Sequence, residues 1–465
     1  MGSKYGIIGF LSFVVLTCSA EAPLKWARPD GFDENAKHLG LPVLTGVTHR
    51  LLYDPLTSRA DETECYESLR HGTYSHHQVF VRYKNWLVVV WTNHMQDENG
   101  PGQRLLAKVG RIAADQSDVD WGGDDTISEL CPPAHPVRRR RSVDDTTVID
   151  GVFAGGGLDV LEDGRMFVNI RLMVCDGWTD DLQYHVGSGL NEPVPDEHYR
   201  AGRDLGPVRE RRFRWDIFWN IGRFVRQVEL NERGRFVAVG PMYRVSKEIP
   251  PELKVTPTIC KKILPLNEPY LSALDYSTAP EAFRSAFSKG RRVPPCGRYP
   301  RYKHGTSKLA ANGKHGLAHN TEFVRPDGKW VAVRDNLLDI ETYYAAVKDK
   351  PEDYYPPAHK TDLFGTAMPV AGELPCGAVW LIGSNAKRTE AYLTLSKDGV
   401  FFDKTWSLIS LNHKATPGIC KGDGGAQYFH AATVGPNIWV VYSIAKEQVG
   451  ITKIPVALLT GLLAD

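Results

Sequence analysis

Histidine side chains are concentrated in two stretches near the N-terminus of the chain, His71–His77 and Trp91–Glu98. A hairpin returns the end of its second strand beside the start of its first, so we expect His77 and His94 to lie close together at one edge of a sheet. Two neighbouring imidazoles can transfer protons, recognise a carboxylate or bind a metal ion. Because no third ligand stands at the spacing that zinc sites use, metal binding is the weaker interpretation.

Four segments repeat one design, in which a short alternating strand, a tight turn and a β-branched strand follow one another. The four hairpins are His77–Val81 with Trp86–Val90, Gly157–Leu161 with Met166–Val168, His319–Val324 with Trp330–Val333, and His430–Val434 with Ile438–Tyr442. A short helical turn is expected only near Pro280–Phe287. This pattern predicts an all-β protein, a single seven-bladed β-propeller over residues 23–465 with long loop insertions. A six-bladed propeller is the alternative, and a β-sandwich with appended domains is a second one.

Three of the four repeats begin with a histidine, namely His77, His319 and His430. The first strand of each propeller blade lines the central channel. Three histidines at one repeat position therefore predict a shared polar centre, whereas a single histidine there would be read as structural.

Composition and charge exclude several classes of protein. The chain has 465 residues, is 42% hydrophobic and 24% charged, and has a formal net charge of +1, which argues against a disordered chain or a uniformly basic nucleic-acid binder. Two segments are nonetheless basic: residues 284–308 hold eight Lys or Arg and no acid, and residues 200–235 hold ten Arg and five acids. Arginine binds carboxylates and sulfates through two parallel hydrogen bonds, so we expect an acidic polysaccharide partner. Solvated basic loops are the alternative.

Residues 1–22 have the basic start, apolar run and small-residue end of a secretory signal peptide. We therefore expect a secreted, monomeric protein with no membrane partner. An exported chain is expected to pair most of its cysteines, as up to three disulfides and one free thiol. Removal of the signal peptide would take Cys18 away from the eight cysteines of the chain. The other seven are Cys65, Cys131, Cys175, Cys260, Cys296, Cys376 and Cys420.

Several motifs together resemble the sialidase-like propellers with BNR repeats. They are His71–Gln78, Trp91–His94, Gly102–Arg104, Arg334–Asn336, Leu381–Asn385, Leu395–Asp403 and Gln427–Ser443. Within that superfamily the chain is most similar to the seven-bladed branch that contains ulvan lyases and rhamnose–glucuronate lyases. Ser396–Gly399 resembles an abbreviated Asp-box, which is a structural turn.

The resemblance implies a polysaccharide lyase that cleaves uronate-containing glycans by β-elimination with two His, a Tyr and an Arg. The candidate catalytic residues are His77, His94, Tyr184 and Arg226, and the candidate substrate-binding residues are Asn93, Arg223, His319, Arg334, Tyr428 and His430. In this chemistry a His or Tyr abstracts the proton beside a carboxylate that an Arg neutralises. The resemblance implies no required cofactor and allows a structural calcium ion.

Two other functions stay open. The first is a non-catalytic extracellular propeller that binds acidic glycans or matrix. The second is a glycoside hydrolase of sialidase type, which would use an arginine triad and a Tyr–Glu nucleophile pair. Sialidases usually carry an Arg-Ile-Pro motif near the start of the chain, but Lys453-Ile-Pro455 stands near the opposite end.

Overall fold

The computed structural model describes eleven stretches of the chain, and strands dominate them. They are residues 23–55, 74–94, 104–123, 126–131, 151–175, 218–246, 272–291, 310–311, 317–336, 339–414 and 424–464. The predicted signal peptide lies outside these residues. Two α-helices are present in this part of the chain, α1 (Glu281–Lys289) and α2 (Val456–Ala464).

The strands fall into five larger sheets, labelled A to E in chain order. Two strands precede them, β1 (Lys25–Trp26) and β2 (Thr48–Tyr53). Sheet A comprises β3 (Tyr74–Tyr83), β4 (Trp86–His94), β5 (Arg104–Ile112), β6 (Val119–Asp120) and β7 (Ser128–Cys131). Sheet B comprises β8 (Gly151–Val160), β9 (Met166–Cys175), β10 (Phe218–Leu230), β11 (Phe236–Ala238), β12 (Tyr243–Ser246) and β13 (Leu274–Asp275).

The other three sheets follow the same order of first, second, third and fourth strand. Sheet C comprises β14 (Leu317–Val324), β15 (Trp330–Asn336), β16 (Thr342–Lys348) and β17 (His359–Phe364). Sheet D comprises β18 (Thr366–Glu373), β19 (Val379–Ser384), β20 (Glu390–Ser396) and β22 (Lys404–Ser410), while β21 (Phe401–Phe402) pairs in parallel with β1. Sheet E comprises β23 (Ala426–Val434), β24 (Asn437–Ile444) and β25 (Gln448–Pro455), and β2 adds its fourth strand from the N-terminal part of the chain.

The sheets are arranged around their first strands, which we call the inner strands: β3, β8, β14, β18 and β23. Contacts link β14 to β18, β18 to β23, β23 to β3 and β3 to β8. One hydrophobic core separates each neighbouring pair of these sheets, so a sheet between two others is buried on both faces. This is an all-β, propeller-like architecture. The described residues form five larger sheets, whereas the sequence predicts seven blades. The number of blades in the whole chain therefore stays a prediction.

All four hairpins that the sequence predicts are confirmed, as β3–β4, β8–β9, β14–β15 and β23–β24. Their turns supply the backbone freedom that a hairpin needs. In sheet C, for example, Gly328 has a φ of 84°, and Arg325 N donates to Lys329 O across the turn at 2.9 Å. Sheet D lacked so clear a repeat in the sequence, and its hairpins were not among the four.

The helices differ in how visible they are in the sequence. Helix α1 confirms the helical turn expected near Pro280–Phe287, because Phe283, Ala286 and Phe287 follow helical spacing and are buried against sheet B. Helix α2 is apolar around most of its circumference and was not predicted. Within the part of the chain that is described, no helix is long and apolar enough to cross a membrane.

The disulfide prediction concerns cysteines whose side chains lie mostly outside the described residues. Cys376 is described, and its thiol is exposed and free. Among the described side chains Cys376 is the one cysteine, so up to three disulfides stay a prediction for the others.

The turn after β20 has the hydrogen bonds expected of the abbreviated Asp-box. Asp398 Oδ1 accepts from Ser396 Oγ at 2.9 Å and from the backbone N–H groups of Val400 and Phe401 at 2.7 and 2.8 Å. Desolvation acts to raise the pKa of Asp398, but the hydrogen bonds from Phe401, Val400 and Ser396 outweigh it and hold the pKa below its ordinary value.

Replacing Asp398 by Ala should lower the free energy of unfolding at neutral pH by about 1–2 kcal/mol, because the turn loses its acceptor. A lowered pKa in the folded state makes this contribution fully present above the ordinary Asp pKa and lost as the pH falls through the folded-state pKa. Urea denaturation of both proteins at pH 7 and at about pH 3 measures this gap, which should shrink at the lower pH. Lys397→Ala in the same exposed turn is the control, and a gap that does not change with pH contradicts the account.

Candidate functional site

Extra residues interrupt the pairing near the start of four inner strands. The shifts fall between His76 and Val79 in β3, Leu317 and Asn320 in β14, Thr366 and Val370 in β18, and Gln427 and His430 in β23. In β3, β14 and β23 two residues therefore oppose one on the neighbouring strand, which is a β-bulge, and in β18 three residues oppose one. His77, Ala367 and Tyr428 have positive φ values of 53°, 59° and 61°. Such backbone costs a non-glycine residue about 1–3 kcal/mol and is characteristic of functional sites.

The bulges show that the three histidines are not equivalent, so the interpretation of one shared repeat position is wrong. His77 is the first residue of its bulge, His319 is the second residue of its own, and His430 is the first paired residue after one. The side chain of His430 is buried, and that of His319 lies outside the described residues. The reason is the inserted residue, which falls at a different position relative to each histidine.

Two bulge residues on neighbouring inner strands meet at the centre of what we call the central cluster: His76, His77, Arg388, Tyr428 and Lys446. The ring of Tyr428 lies 4.1 Å from the His76 ring and 5.9 Å from the His77 ring, both edge-on. The Arg388 guanidinium carbon lies 5.7 Å from the Tyr428 ring centre, and Lys446 Nζ lies 5.9 Å from it. A phenol is thus surrounded by two imidazoles and two cations.

The two histidines of the cluster have different surroundings. His76 is fully buried between sheets A and E, and its Nδ1 hydrogen bonds with Ser443 Oγ at 3.2 Å. His77 is exposed, and its ring lies 4.4 Å from that of His76. Tyr74 adds an edge-on ring contact to His76 at 6.0 Å. His76 is therefore held inside the protein by its neighbours, whereas His77 is exposed to solvent.

The charge of Arg388 is directed into this cluster without a compensating carboxylate. Its Nη1 donates to the neutral Gln427 Oε1 at 2.5 Å, and no ion pair to Arg388 forms among the residues that the structure describes. The side chain is only partly exposed. A half-buried guanidinium without a carboxylate partner has the charge and the donor groups to bind an anion.

Asn93 and Arg104 form a network inside sheet A, beside the cluster. Asn93 is fully buried, and its Nδ2 donates to Tyr74 O at 2.9 Å and to Ser75 Oγ at 3.2 Å. Arg104 Nε donates to Asn93 Oδ1 at 3.1 Å, and Arg104 also pairs with Glu129 at 3.1 Å. The Asn93 amide thus organises the start of β3.

The prediction that His77 lies close to His94 is wrong, because the two residues are offset by three positions along the hairpin. The strand β3 begins at Tyr74, and His94 lies opposite Tyr74 rather than opposite His77. Three residues along a strand correspond to roughly 10 Å. The side chain of His94 lies outside the described residues.

The structure does not bring Arg226 to the cluster. Arg226 lies on β10, two strands from the inner strand of sheet B, and its Nε donates to Gly240 O at 3.3 Å. The backbone of Arg223 is opposite Arg171 on the same sheet, and its side chain lies outside the described residues, as does the whole of Tyr184. Arg334 is buried near the end of β15, opposite Asn320 and Tyr344.

The described residues place neither a metal site nor the cavity beside sheet C at the central cluster. Over the described ranges, no group of three His, Cys, Asp or Glu side chains is placed to hold a metal ion, so the calcium ion stays a prediction. A cavity of about 690 Å³ lies between the Trp26–Asn35 segment and strands β16 and β17, and none of the cluster residues lines it.

Sequence reasoning found Tyr428 and His77 but missed His76, Arg388 and Lys446. A signal for the two cations was present. Arg388 and Lys446 follow the second strands of sheets D and E, where both turns contain the dipeptide Ala-Lys, at 386–387 and 445–446. Extending the repeat to the turn after its second strand would have placed both cations at the same end of neighbouring sheets.

Substitutions at His77 should report its left-handed backbone. His77→Gly should leave the free energy of unfolding unchanged or raise it by up to about 1 kcal/mol, because glycine adopts positive φ without strain. His77→Val should lower it by about 1–3 kcal/mol, because a β-branched residue is disfavoured there. Chemical denaturation measures both, and equal effects would contradict the bulge conformation.

Comparison with known proteins identifies the fold. No protein-family model and no curated protein matches the chain. Among solved structures it is similar to a sialidase, at 15% identity and a TM-score of 0.56, covering 93% of this chain and 35% of that one. It is also similar to a Trypanosoma rangeli sialidase in complex with the inhibitor DANA, at 7% identity and a TM-score of 0.43, covering 90% of this chain and 61% of that one. A third similar structure is a leech intramolecular trans-sialidase, at 12% identity and a TM-score of 0.41, covering 89% of this chain and 71% of that one. The chain spans about a third of the length of the first sialidase, and its fold is sialidase-like.

Proposed function

We propose that the protein is an exported glycoside hydrolase of sialidase type that acts on glycans with a carboxylate-bearing sugar. The observation that carries this proposal is the half-buried Arg388, which has no carboxylate partner in the described part of the chain and lies against the ring of Tyr428. An acidic polysaccharide or glycoconjugate is the proposed partner.

Each step of such a reaction has a candidate group in the cluster, with Arg388 and Lys446 in place of an arginine triad and an imidazole in place of the glutamate of a Tyr–Glu pair. Arg388 and Lys446 would neutralise the carboxylate of the sugar, which a substrate must bring into a positive site. The Tyr428 oxygen would form a bond to the anomeric carbon after giving its proton to an imidazole of the cluster. Protonated His77 would transfer a proton to the departing glycosidic oxygen. Water would then give a proton to His77 and release the sugar from Tyr428, which would take its own proton back from the imidazole.

The fold comparison favours hydrolysis over elimination. The first sialidase shares this fold over 93% of the present chain, whereas the lyase branch is suggested only by sequence motifs. Function does not follow from fold alone, so the cluster carries the proposal and the comparison ranks the alternatives.

A polysaccharide lyase is the second candidate, because His77, Tyr428 and Arg388 meet in one place. Elimination would need a base to remove the proton beside the carboxylate, an acid for the leaving oxygen and a cation for the carboxylate, and this trio could supply them. The products separate the two reactions: hydrolysis leaves a saturated acidic sugar, and elimination leaves an unsaturated uronate that absorbs ultraviolet light.

Arg388→Gln should weaken the binding of glucuronic acid and N-acetylneuraminic acid by about 10- to 100-fold, because the charge-assisted hydrogen bonds to the carboxylate are lost. Titration followed by NMR measures the affinities, with glucose as the uncharged reference. Arg233→Gln, an exposed arginine in the turn between β10 and β11, is the matched control and should bind as wild type does. Wild-type affinity in Arg388→Gln would contradict the proposal.

Tyr428→Phe should abolish turnover, by about 100-fold or more, while changing the affinity for acidic sugars by less than about threefold. The ring contacts of the cluster are kept, and only the reacting oxygen is removed. The assay uses 3′-sialyllactose and glucuronan oligosaccharides, and it follows both released sugar and ultraviolet absorbance. A rise in ultraviolet absorbance would show that the enzyme is a lyase and would contradict the proposed hydrolase activity. Binding without turnover in the wild type would identify a non-catalytic binding protein.

A further inference from the structure

The turn that presents Arg388 connects β19 to β20 and covers residues 385–389. Arg388 itself has a φ of 58°, in the left-handed region that non-glycine residues rarely adopt. Its backbone N donates to Asn385 O at 2.8 Å. A strained residue keeps such a conformation only when its surroundings hold it there, so the contacts of this turn decide where the guanidinium lies.

Asn385 holds the turn from inside. It is 3% exposed, and its Oδ1 accepts from the backbone N–H groups of Thr389 at 2.9 Å and Glu390 at 3.2 Å. Its Nδ2 donates to Thr389 Oγ1 at 3.2 Å and, with a longer bond of 3.5 Å, to Glu34 O. One side chain therefore joins both ends of the turn and connects the turn to a distant part of the chain.

The N-terminal segment, residues 33–38, holds the turn from outside. The backbone N of His38 donates to Glu390 Oε2 at 3.1 Å, and Lys387 Nζ donates to Asn35 Oδ1 at 3.1 Å. The segment is anchored in turn, because the next residue, Leu39, is fully buried in the core between sheets C and D.

We propose that Asn385 is a positioning residue for Arg388, and that it fixes the direction of the guanidinium toward the carboxylate of the ligand. The inference rests on the proposed function, since it concerns the same anion site. Asn385 acts through the turn and makes no contact with the ligand. The N-terminal segment stabilises the same geometry, although it is about 350 residues away in sequence.

A double-mutant cycle tests this role. Asn385→Ala should weaken the binding of glucuronic acid by about three- to tenfold, because the guanidinium is no longer held in one direction. In a protein that already carries Arg388→Gln, the same change should have no further effect on affinity, because the group it positions is gone. Asn385→Ser keeps one side-chain acceptor for the turn and should lose less affinity, and it replaces Asn385→Ala if that variant does not fold.

The control is Asn437→Ala. Asn437 is 5% exposed and donates through Nδ2 to Ser117 O at 2.9 Å, at the opposite end of the sheets. Its replacement should lower the melting temperature comparably and leave the affinity for glucuronic acid unchanged.

The outcomes separate this inference from the proposed function. If Arg388→Gln loses affinity but Asn385→Ala does not, the positioning role is overturned and the anion site stands. An Asn385→Ala effect that persists undiminished beside Arg388→Gln also overturns the positioning role. If Arg388→Gln binds like wild type, the anion site fails, and the positioning role fails with it.

Discussion

The site depends on one extra residue in each of two neighbouring inner strands. Side chains alternate between the two faces of a strand with a period of two, so an inserted residue re-aims the side chains at the insertion. In β3 the insertion leaves His76 buried between sheets and His77 exposed. In β23 it turns Tyr428 toward both histidines. Without the bulges, these residues would follow the regular alternation of their strands, and the cluster would not form.

The charge distribution around Tyr428 gives this geometry its chemical meaning. Elsewhere the described arginines often pair with acids, as Arg104 does with Glu129 and Arg165 with Asp163. Arg388 instead donates to a neutral amide. A cation that is partly withdrawn from water and not neutralised by the protein attracts an anion, and the effect is stronger there than on an open surface.

The sequence was sufficient for the parts of the fold that local chemistry determines. Asp327-Gly328 and the β-branched runs predicted the hairpins, and the Ser396–Gly399 turn forms its expected hydrogen bonds. The bulges were not predictable, because His77 and Tyr428 give no glycine-like signal for positive φ. That is why His319 and His430 were taken as equivalents of His77. His77 was placed beside His94 for another reason: β3 begins three residues before His77, at Tyr74.

The candidate site was predictable only in part, for a related reason. His77 and Tyr428 were identified from their motifs, but their proximity depends on which inner strands are neighbours, and a repeat pattern alone does not specify this. His76 was not singled out, because the repeat was taken to begin at His77. Arg226 was chosen by order along the chain, yet it lies two strands from the inner strand of its sheet.

The most direct test of the central claim is a crystal structure of the protein soaked with N-acetylneuraminic acid or glucuronic acid. The account predicts that the carboxylate of the sugar lies within about 3 Å of the Arg388 guanidinium and that the sugar ring lies beside Tyr428. A sugar bound elsewhere, for example in the cavity between the Trp26–Asn35 segment and sheet C, with Arg388 unliganded, would contradict it.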